Sequence, residues 1–261
     1  MQTQEQFISF NQYQIYTKQW IVDVEQKLSP IVLLHESLGS TELWKDFPEI
    51  LAEKLKRNVI SYDRIGFGQS SARTDSVALS FVADEAEPLT AVLDALNLQS
   101  CILLGHSVGG GMAVAIGSML KARCKAVITV AAQAYVEEET LDGIRHAEEN
   151  VCTNPKFVES LARYHGDKTQ WVLDAWTKTW LNPAFKTWNT APYLAELECL
   201  LLVLHGDDDP YATLAQPEYF IQQAKTKQKI SHIFRGCGHF PHREKQENLL
   251  QTLEIFLRNI Q

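Results

Sequence analysis

Short runs of apolar residues alternate along the chain with longer stretches in which apolar residues recur every three or four positions. The runs cover residues 31–34, 59–62, 101–104, 126–130, 200–204 and 230–234. The periodic stretches cover residues 44–55, 79–96, 110–120, 214–224 and 244–257. Continuous apolar runs suit strands that are buried on both faces, and the helical period suits helices that cover them. The alternation predicts an α/β fold with a mostly parallel central sheet flanked by helices.

Two regions depart from this alternation. Residues 7–10 and 13–20 alternate apolar and polar side chains around Asn11-Gln12, which predicts an antiparallel hairpin at a sheet edge. Between residues 133 and 198 no run resembles a strand, and helix-forming residues dominate. A chain of 261 residues can form one large α/β domain with an insertion. We therefore expect a core of residues 1–132 and 199–261, and a helical cap of residues 133–198 inserted between the sixth and seventh strands.

Composition narrows the class of protein. Lys and Arg total 24 against 32 for Asp and Glu, a net charge of -8, so nucleic acid is not an expected partner. The 5 cysteines are widely spaced and form no Cys-x-x-Cys pair, which argues against a disulfide framework. No apolar stretch is long enough to span a membrane, and the polar N-terminus has no leader-like run. These features predict a cytoplasmic protein without a membrane partner.

One pentapeptide carries candidate chemistry, Gly105-His106-Ser107-Val108-Gly109. It matches Gly-x-Ser-x-Gly, a turn that presents a serine between a strand and a helix, and it lies between a predicted strand and a predicted helix. Glycines two positions on either side of a serine allow the strained, tight turn. We predict that Ser107 is a nucleophile and that the Val108 N–H, at the helix start, stabilises an oxyanion. The alternative is an ordinary glycine-rich βα turn, with or without a bound phosphate, but the segment has neither a Gly-x-Gly-x-x-Gly dinucleotide fingerprint nor the lysine of a phosphate loop.

A serine nucleophile needs a base, and a base needs a carboxylate to orient it. His239 follows the last predicted strand, at the edge of the sheet where the serine is expected, and His242 is the alternative base. Asp207, Asp208 and Asp209 follow the run 200–204 at the same edge, and position alone does not separate them. A lone His239-x-x-His242 pair is weak evidence for a metal site, so no metal is expected.

With these residues in place, the chain resembles the α/β-hydrolase superfamily over nearly its whole length. Beside the Ser107 turn, a second motif looks like that superfamily's Asp-x-x-Gly-x-Gly-x-Ser turn, and it reads Asp63-Arg64-Ile65-Gly66-Phe67-Gly68-Gln69-Ser70. The superfamily's Gly-x-x-Asp and Gly-x-Gly-His patterns point to Asp209 as the acid and His239 as the base. The resemblance implies a Ser107–His239–Asp209 triad without a cofactor.

The resemblance also implies a second oxyanion donor, with one departure from the pattern. The superfamily's His-Gly after the third strand stands here as His35-Glu36-Ser37, and by position the Ser37 N–H is the donor. A carboxylate beside an oxyanion is repulsive unless it turns away or is paired. We therefore expect Glu36 to form a salt bridge that shapes this loop.

The region 133–198 resembles the helical cap of small esterases, carbon-carbon hydrolases and related lyases. Trp176 and Trp180 are four residues apart and share a helix face, which suits either packing inside the cap or a lid over an apolar acyl group. Glu137-Glu138-Glu139 is expected to be a solvated helix start.

The function that follows is cleavage of a small, apolar ester or related acyl substrate through an acyl-enzyme. A carbon-carbon hydrolase or a lyase of the menaquinone-pathway type would use the same triad. An arginine lining the cap pocket, for example Arg163, would favour a carboxylate substrate of that kind. A receptor that keeps the fold and binds a small molecule without turnover is the alternative from another class.

Overall fold

The computed structural model describes residues 1–23, 25 and 28–260 and contains one eight-stranded sheet. The strands are β1 (Gln2–Phe10), β2 (Tyr13–Ile21), β3 (Ile31–Leu34), β4 (Val59–Tyr62), β5 (Cys101–His106), β6 (Cys124–Val130), β7 (Leu200–Gly206) and β8 (Lys229–Phe234). Their order across the sheet is β1-β2-β4-β3-β5-β6-β7-β8. β2 pairs antiparallel with both β1 and β4, and all pairs from β4 to β8 are parallel. The predicted fold class is confirmed.

The sheet follows the apolar runs, and its strands extend beyond some of them. Every residue of β3, β4 and β5 is buried, as expected for strands covered on both faces. β5 continues to His106 and β7 to Gly206, which carries both strands to the edge where the candidate residues lie. The hairpin turns at Asn11, whose φ of 52° suits a tight connection.

The α-helices are α1 (Phe47–Leu55), α2 (Phe81–Asp84), α3 (Ala86–Ala95), α4 (Val108–Leu120), α5 (Glu138–Asn150), α6 (Pro155–His165), α7 (Thr169–Trp180), α8 (Ala191–Glu196), α9 (Ala215–Gln223), α10 (Pro241–Glu244) and α11 (Gln246–Leu257). Three predicted helices are divided. The stretch 44–55 breaks at Lys45, which has a φ of 57°, and 79–96 breaks at Glu85. The stretch 244–257 overlaps both α10 and α11. Apolar periodicity continues across these breaks because both pieces face the same core, so it does not reveal them.

Successive residues of the central strands contribute to two separate apolar layers. On β5, Cys101 and Leu103 join the layer beneath α3 and α4, whereas Ile102 and Leu104 join the layer beneath α1 and α11. This alternation follows from the two-residue repeat of a strand. Both faces of the sheet are therefore covered by helices. None of the described helices has the length and apolarity needed to cross a membrane.

The segment 133–198 lies between β6 and β7 and is described throughout. It contains α5, α6, α7 and α8, and its one β-bridge joins Tyr135 to Asn189. The bridge and a 2.7 Å hydrogen bond from the Thr190 N–H to the Ala134 carbonyl hold the two ends of the segment together. We call residues 133–198 the cap segment. Its division from the core as a separate unit stays a prediction.

Candidate active site

Ser107 occupies a strained turn between β5 and α4. Its φ of 55° and ψ of -127° are costly for a residue with a side chain, and they place the buried serine at the end of the strand. A Cβ at Gly105 would lie 2.0 Å from the Gly109 carbonyl oxygen, and a Cβ at Gly109 would lie 2.3 Å from the Leu34 carbonyl oxygen. Both glycines are therefore required by close backbone approach. The turn has the geometry that the pentapeptide predicts.

Asp209 and His239 form a buried pair at the carboxyl end of the sheet. The Asp209 side chain is fully buried, and its Oδ2 lies 2.8 Å from His239 Nδ1. Its Oδ1 accepts a 2.9 Å hydrogen bond from the Tyr211 N–H, which fixes the carboxylate. Asp207 and Asp208 are exposed. Of the three aspartates, Asp209 is the one that contacts the imidazole. Because this contact occupies Nδ1 of His239, Nε2 is the ring nitrogen that remains for proton transfer.

Ser107 and His239 both line one cavity of about 200 Å³, which we call the serine cavity. The Ser107 Oγ donates a 3.3 Å hydrogen bond to Oε1 of Gln133, a buried residue that follows β6. In this conformation the hydroxyl is thus directed to the Gln133 amide and not to His239. Sequence reasoning missed Gln133, although its position just beyond the carboxyl end of β6 was a signal for a residue at this edge.

The loop after β3 is held by Arg64. The Glu36 carbonyl accepts hydrogen bonds from His35 Nδ1 and from Arg64 Nη2, both at 2.8 Å. The Arg64 N–H in turn donates to His35 Nε2 at 3.2 Å. Ser37 lines the serine cavity beside Ser107, at the place expected for an oxyanion donor. Its role stays a prediction.

The Glu36 side chain contacts a histidine of the nucleophile turn. Its Oε2 lies 3.5 Å from Nδ1 of His106, an electrostatic contact whose geometry leaves that nitrogen without a hydrogen bond. His106 Nε2 donates to the His239 carbonyl at 2.8 Å, so this ring joins the oxyanion loop to the loop of the base. Burial works to raise the pKa of Glu36, but His106 and His35 outweigh it and hold this pKa below its usual range. The expected partner of Glu36 is therefore His106, and their contact is an ion pair when that ring is protonated.

The cap segment supplies one wall of the site. Trp176 and Trp180 both line the serine cavity, and Trp180 also packs at 5.4 Å from the Phe185 ring. Trp180 thus both packs inside the cap and faces the cavity. Arg163 is exposed and does not line the cavity.

The expected solvated helix start at residues 137–139 is confirmed for Glu138 and Glu139, which are exposed in the first turn of α5, and is wrong for Glu137. Its carboxylate accepts hydrogen bonds from the Thr213 N–H at 2.7 Å and from the Thr213 hydroxyl at 2.9 Å. Glu137 therefore ties the start of α5 to the loop after β7. The sequence could not show this because the partner lies 76 residues away.

Two further cap residues form hydrogen bonds to the loops after β3 and β4. His165 accepts a 2.9 Å hydrogen bond from the Gly68 N–H through Nδ1 and donates through Nε2 to the Leu38 carbonyl at 3.0 Å. Lys168 Nζ donates to the carbonyls of Phe67, Gly68 and Ser70. Together with Glu137, these residues hydrogen-bond the cap segment to the loops after β3, β4 and β7.

His242 occupies a different place from His239. It is 1% exposed and packs against the rings of Trp44, Phe47 and His106. Burial, with His106 and Arg243 adding to it, holds the pKa of His242 well below its usual range. His242 is a neutral core residue that does not line the serine cavity.

Taken together, the strand order, the turn after β5 and the buried Asp209–His239 pair define an α/β hydrolase. A family model described as "alpha/beta hydrolase fold" matches residues 29–246, and the chain belongs to this family. Like the other enzymes of this family, it is a hydrolase.

Two curated relatives and a solved structure match most of the chain. It is 25% identical over 252 residues to a 2-hydroxy-6-oxo-2,4-heptadienoate hydrolase of Pseudomonas putida, which covers 88% of this chain and 89% of the relative. It is 24% identical over 249 residues to a 3-oxoadipate enol-lactonase of Acinetobacter baylyi, covering 89% and 90% respectively. A solved serine hydrolase from Cycloclasticus zankles superposes with a TM-score of 0.78 at 18% identity, over 98% of each chain.

Proposed function

We propose that this protein is a serine hydrolase in which Ser107 attacks a small ester or related acyl substrate. The observation that carries the proposal is the buried Asp209–His239 contact of 2.8 Å, made by a histidine that shares a cavity with a strained serine. A carboxylate at Nδ1 selects the tautomer whose Nε2 can accept a proton and stabilises the imidazolium that then forms. The three residues come from separate loops at one sheet edge, and convergence of this kind suits nucleophilic catalysis.

In the proposed reaction, the Ser107 Oγ leaves Gln133 and forms a bond to the substrate carbonyl carbon while His239 takes its proton. The N–H groups of Val108 and Ser37 stabilise the oxyanion of the tetrahedral intermediate. The bond to the leaving group then breaks, and His239 returns the proton to it. Water hydrolyses the acyl-enzyme by the same two steps and restores the serine.

The shape of the serine cavity supports a small and largely apolar substrate portion. Besides Ser107 and His239, its lining is dominated by apolar and aromatic side chains: Leu38, Ile144, Ala147, Val151, Phe157, Trp176, Trp180, Tyr211 and Phe240. Its volume of about 200 Å³ is small for a binding site. Trp176 and Trp180 are proposed to contact the substrate.

The second candidate is cleavage of a carbon-carbon bond or a lactone, as the names of two relatives describe for those proteins. The same serine, histidine and aspartate would serve, since these reactions also pass through an attacked carbonyl. A panel of esters, lactones and β-diketones, with turnover followed for each, distinguishes the candidates.

A cytoplasmic location stays a prediction, in keeping with the five free thiols.

The test compares Ser107→Ala with wild type on p-nitrophenyl acetate and butyrate. Loss of the nucleophile is expected to lower kcat at least about 10³-fold. The matched control is Ser118→Ala, which removes another buried serine hydroxyl on the following helix, one that donates a hydrogen bond to the Ala115 carbonyl. A fluorophosphonate should label wild type at Ser107 and leave the alanine variant unlabelled. Equal turnover by Ser107→Ala would overturn the proposal, and a wild type that binds these esters without turnover would favour the receptor.

A further inference from the structure

A second cavity of about 100 Å³ adjoins the serine cavity, and we call it the arginine cavity. The two share Ser37, Trp176 and Trp180, but Val108 lines only the arginine cavity, whereas Ser107 and His239 line only the serine cavity. The proposed oxyanion donors, Val108 and Ser37, therefore lie between the arginine cavity and His239. Its charged lining residues are Arg64, Arg73, Asp84 and Glu85.

The guanidinium of Arg64 has an N–H group that makes no hydrogen bond to the described residues. Arg64 is 5% exposed and donates through Nη2 to the Glu36 carbonyl at 2.8 Å, while its Nε has no hydrogen-bond partner among the described residues. No carboxylate of the described residues lies within ion-pair distance of its guanidinium, which instead stacks 4.1 Å from the Phe67 ring centroid. Glu85, Glu36 and Asp63 favour the charged form of Arg64 without direct contact with its guanidinium, so an anionic ligand would add the charge-assisted hydrogen bonds that these carboxylates do not make.

The other charged groups of the arginine cavity are already engaged. Arg73 forms a two-point ion pair with Asp75. Asp84 accepts a 2.7 Å hydrogen bond from the Ser80 hydroxyl. Arg64 is thus the charged donor in this cavity that a ligand would meet.

Glu85 completes the surroundings of Arg64. Its carboxyl accepts a 2.9 Å hydrogen bond from the Tyr62 hydroxyl. Burial raises the pKa of Glu85 to about 7, even though Arg64 acts in the opposite direction. Near neutral pH this carboxyl is therefore protonated in part of the molecules, and in that form it adds a second donor beside Arg64 without repelling an anion.

We propose that the arginine cavity binds a carboxylate on the acyl half of the substrate, so that the enzyme prefers acyl groups that end in a second carboxylate. This inference rests on the proposed function. Because His239 protonates the leaving group, the leaving group occupies the serine cavity on the side of the base. The acyl chain then extends past Val108 and Ser37 into the arginine cavity, whose small volume suits a short chain such as a glutaryl group.

The test uses two benzyl esters that differ in charge. Monobenzyl glutarate carries the free carboxylate, benzyl methyl glutarate is its neutral match, and released benzyl alcohol reports both reactions. Wild type is expected to favour the carboxylate by about 10- to 100-fold in kcat/KM, the size of one or two charge-assisted hydrogen bonds. Arg64→Gln should bring this ratio close to one. Arg73→Gln, which alters a paired arginine of the same cavity, should leave the ratio unchanged.

A second variant keeps the test decisive if Arg64→Gln does not fold. Glu85→Gln removes the negative charge that Glu85 carries above its pKa of about 7, so the preference for the carboxylate should increase at pH 8 and differ little from wild type at pH 6. Glutarate alone, at millimolar concentration, should also raise the Tm of wild type and of Arg73→Gln. That measurement reports binding even where neither ester is turned over.

The outcomes separate this inference from the proposed function. A wild-type ratio near one, with Ser107-dependent hydrolysis of the neutral diester, would overturn the carboxylate site and leave the hydrolase proposal standing. A Tm increase with glutarate that Arg64→Gln abolishes would support the site even if no ester were cleaved. A Tm that glutarate leaves unchanged, together with a ratio unaffected by Arg64→Gln, would refute it.

Discussion

The contact between Glu36 and His106 gives a prediction that the superfamily pattern alone would not suggest. Where a glycine is usual, Glu36 places a carboxylate 3.5 Å from a buried imidazole nitrogen. His106 Nε2 already donates to the His239 carbonyl, and the other ring nitrogen, Nδ1, is the one that faces Glu36. Glu36→Gln keeps the size of the side chain and removes its charge. We expect this variant to fold with lower stability and to hold the oxyanion loop less firmly.

The magnitude follows from the distance and the burial. With His106 protonated, the two unit charges 3.5 Å apart interact by roughly 5 kcal/mol at an effective dielectric of about 20, before desolvation is subtracted. Removing one member of a buried pair typically costs about 3 to 5 kcal/mol. Glutamine retains a polar contact, so we expect a loss of about 3 kcal/mol in the free energy of unfolding. For a chain of this size that corresponds to a decrease in Tm of about 6 to 12 °C.

The assay is urea and thermal unfolding of wild type, Glu36→Gln, His106→Gln and the double variant. If the two groups are paired, the double-variant cycle should give a coupling of about 1 to 3 kcal/mol. Glu53→Gln, a change at an exposed glutamate of α1, is the control and should stay within about 0.5 kcal/mol of wild type. Because the pKa of Glu36 is lowered on folding, its contribution is present above the unfolded pKa of about 4.3 and is lost as the pH falls through the lower folded value.

The reasoning would be refuted by additive single variants, or by a Glu36→Gln protein with wild-type stability at pH 7. A reduced kcat at unchanged stability would instead place the effect of Glu36 on the reaction itself.

Two further predictions concern the turn and the cap. Gly109→Ala should destabilise the protein by several kcal/mol, because its Cβ would lie 2.3 Å from the Leu34 carbonyl oxygen, and a Tm equal to that of wild type would contradict this. Burial lowers the pKa of His165, whose neutral ring is hydrogen-bonded to Gly68 and Leu38. The stability that this neutral ring contributes is fully present above the unfolded pKa of about 6.5. It is lost as the pH falls through the lower pKa of the folded protein. His165→Gln can make both hydrogen bonds at any pH, so its Tm should fall less than that of wild type between pH 7.5 and pH 5, as differential scanning calorimetry would show.

Much of this protein could be predicted from local patterns along the chain. Buried strands appear as continuous apolar runs, because a strand covered on both faces has no polar side to present. The turn at Ser107 is readable for a similar reason, since only glycine tolerates the backbone approach at positions 105 and 109. These features depend on neighbouring residues alone.

The tertiary structure decided which side chains meet. Three consecutive aspartates were equivalent by position, and the path of the loop after β7 turned Asp209 toward His239. Gln133 received the serine hydroxyl, and Arg64 lines the second cavity in place of the suggested Arg163. Such contacts join residues far apart in the chain, and they depend on loop conformations that apolar periodicity does not encode. The amino-acid sequence by itself determined the sheet and the strained turn, because both follow from local burial and backbone sterics, whereas the partners of the charged side chains came only from folding in three dimensions.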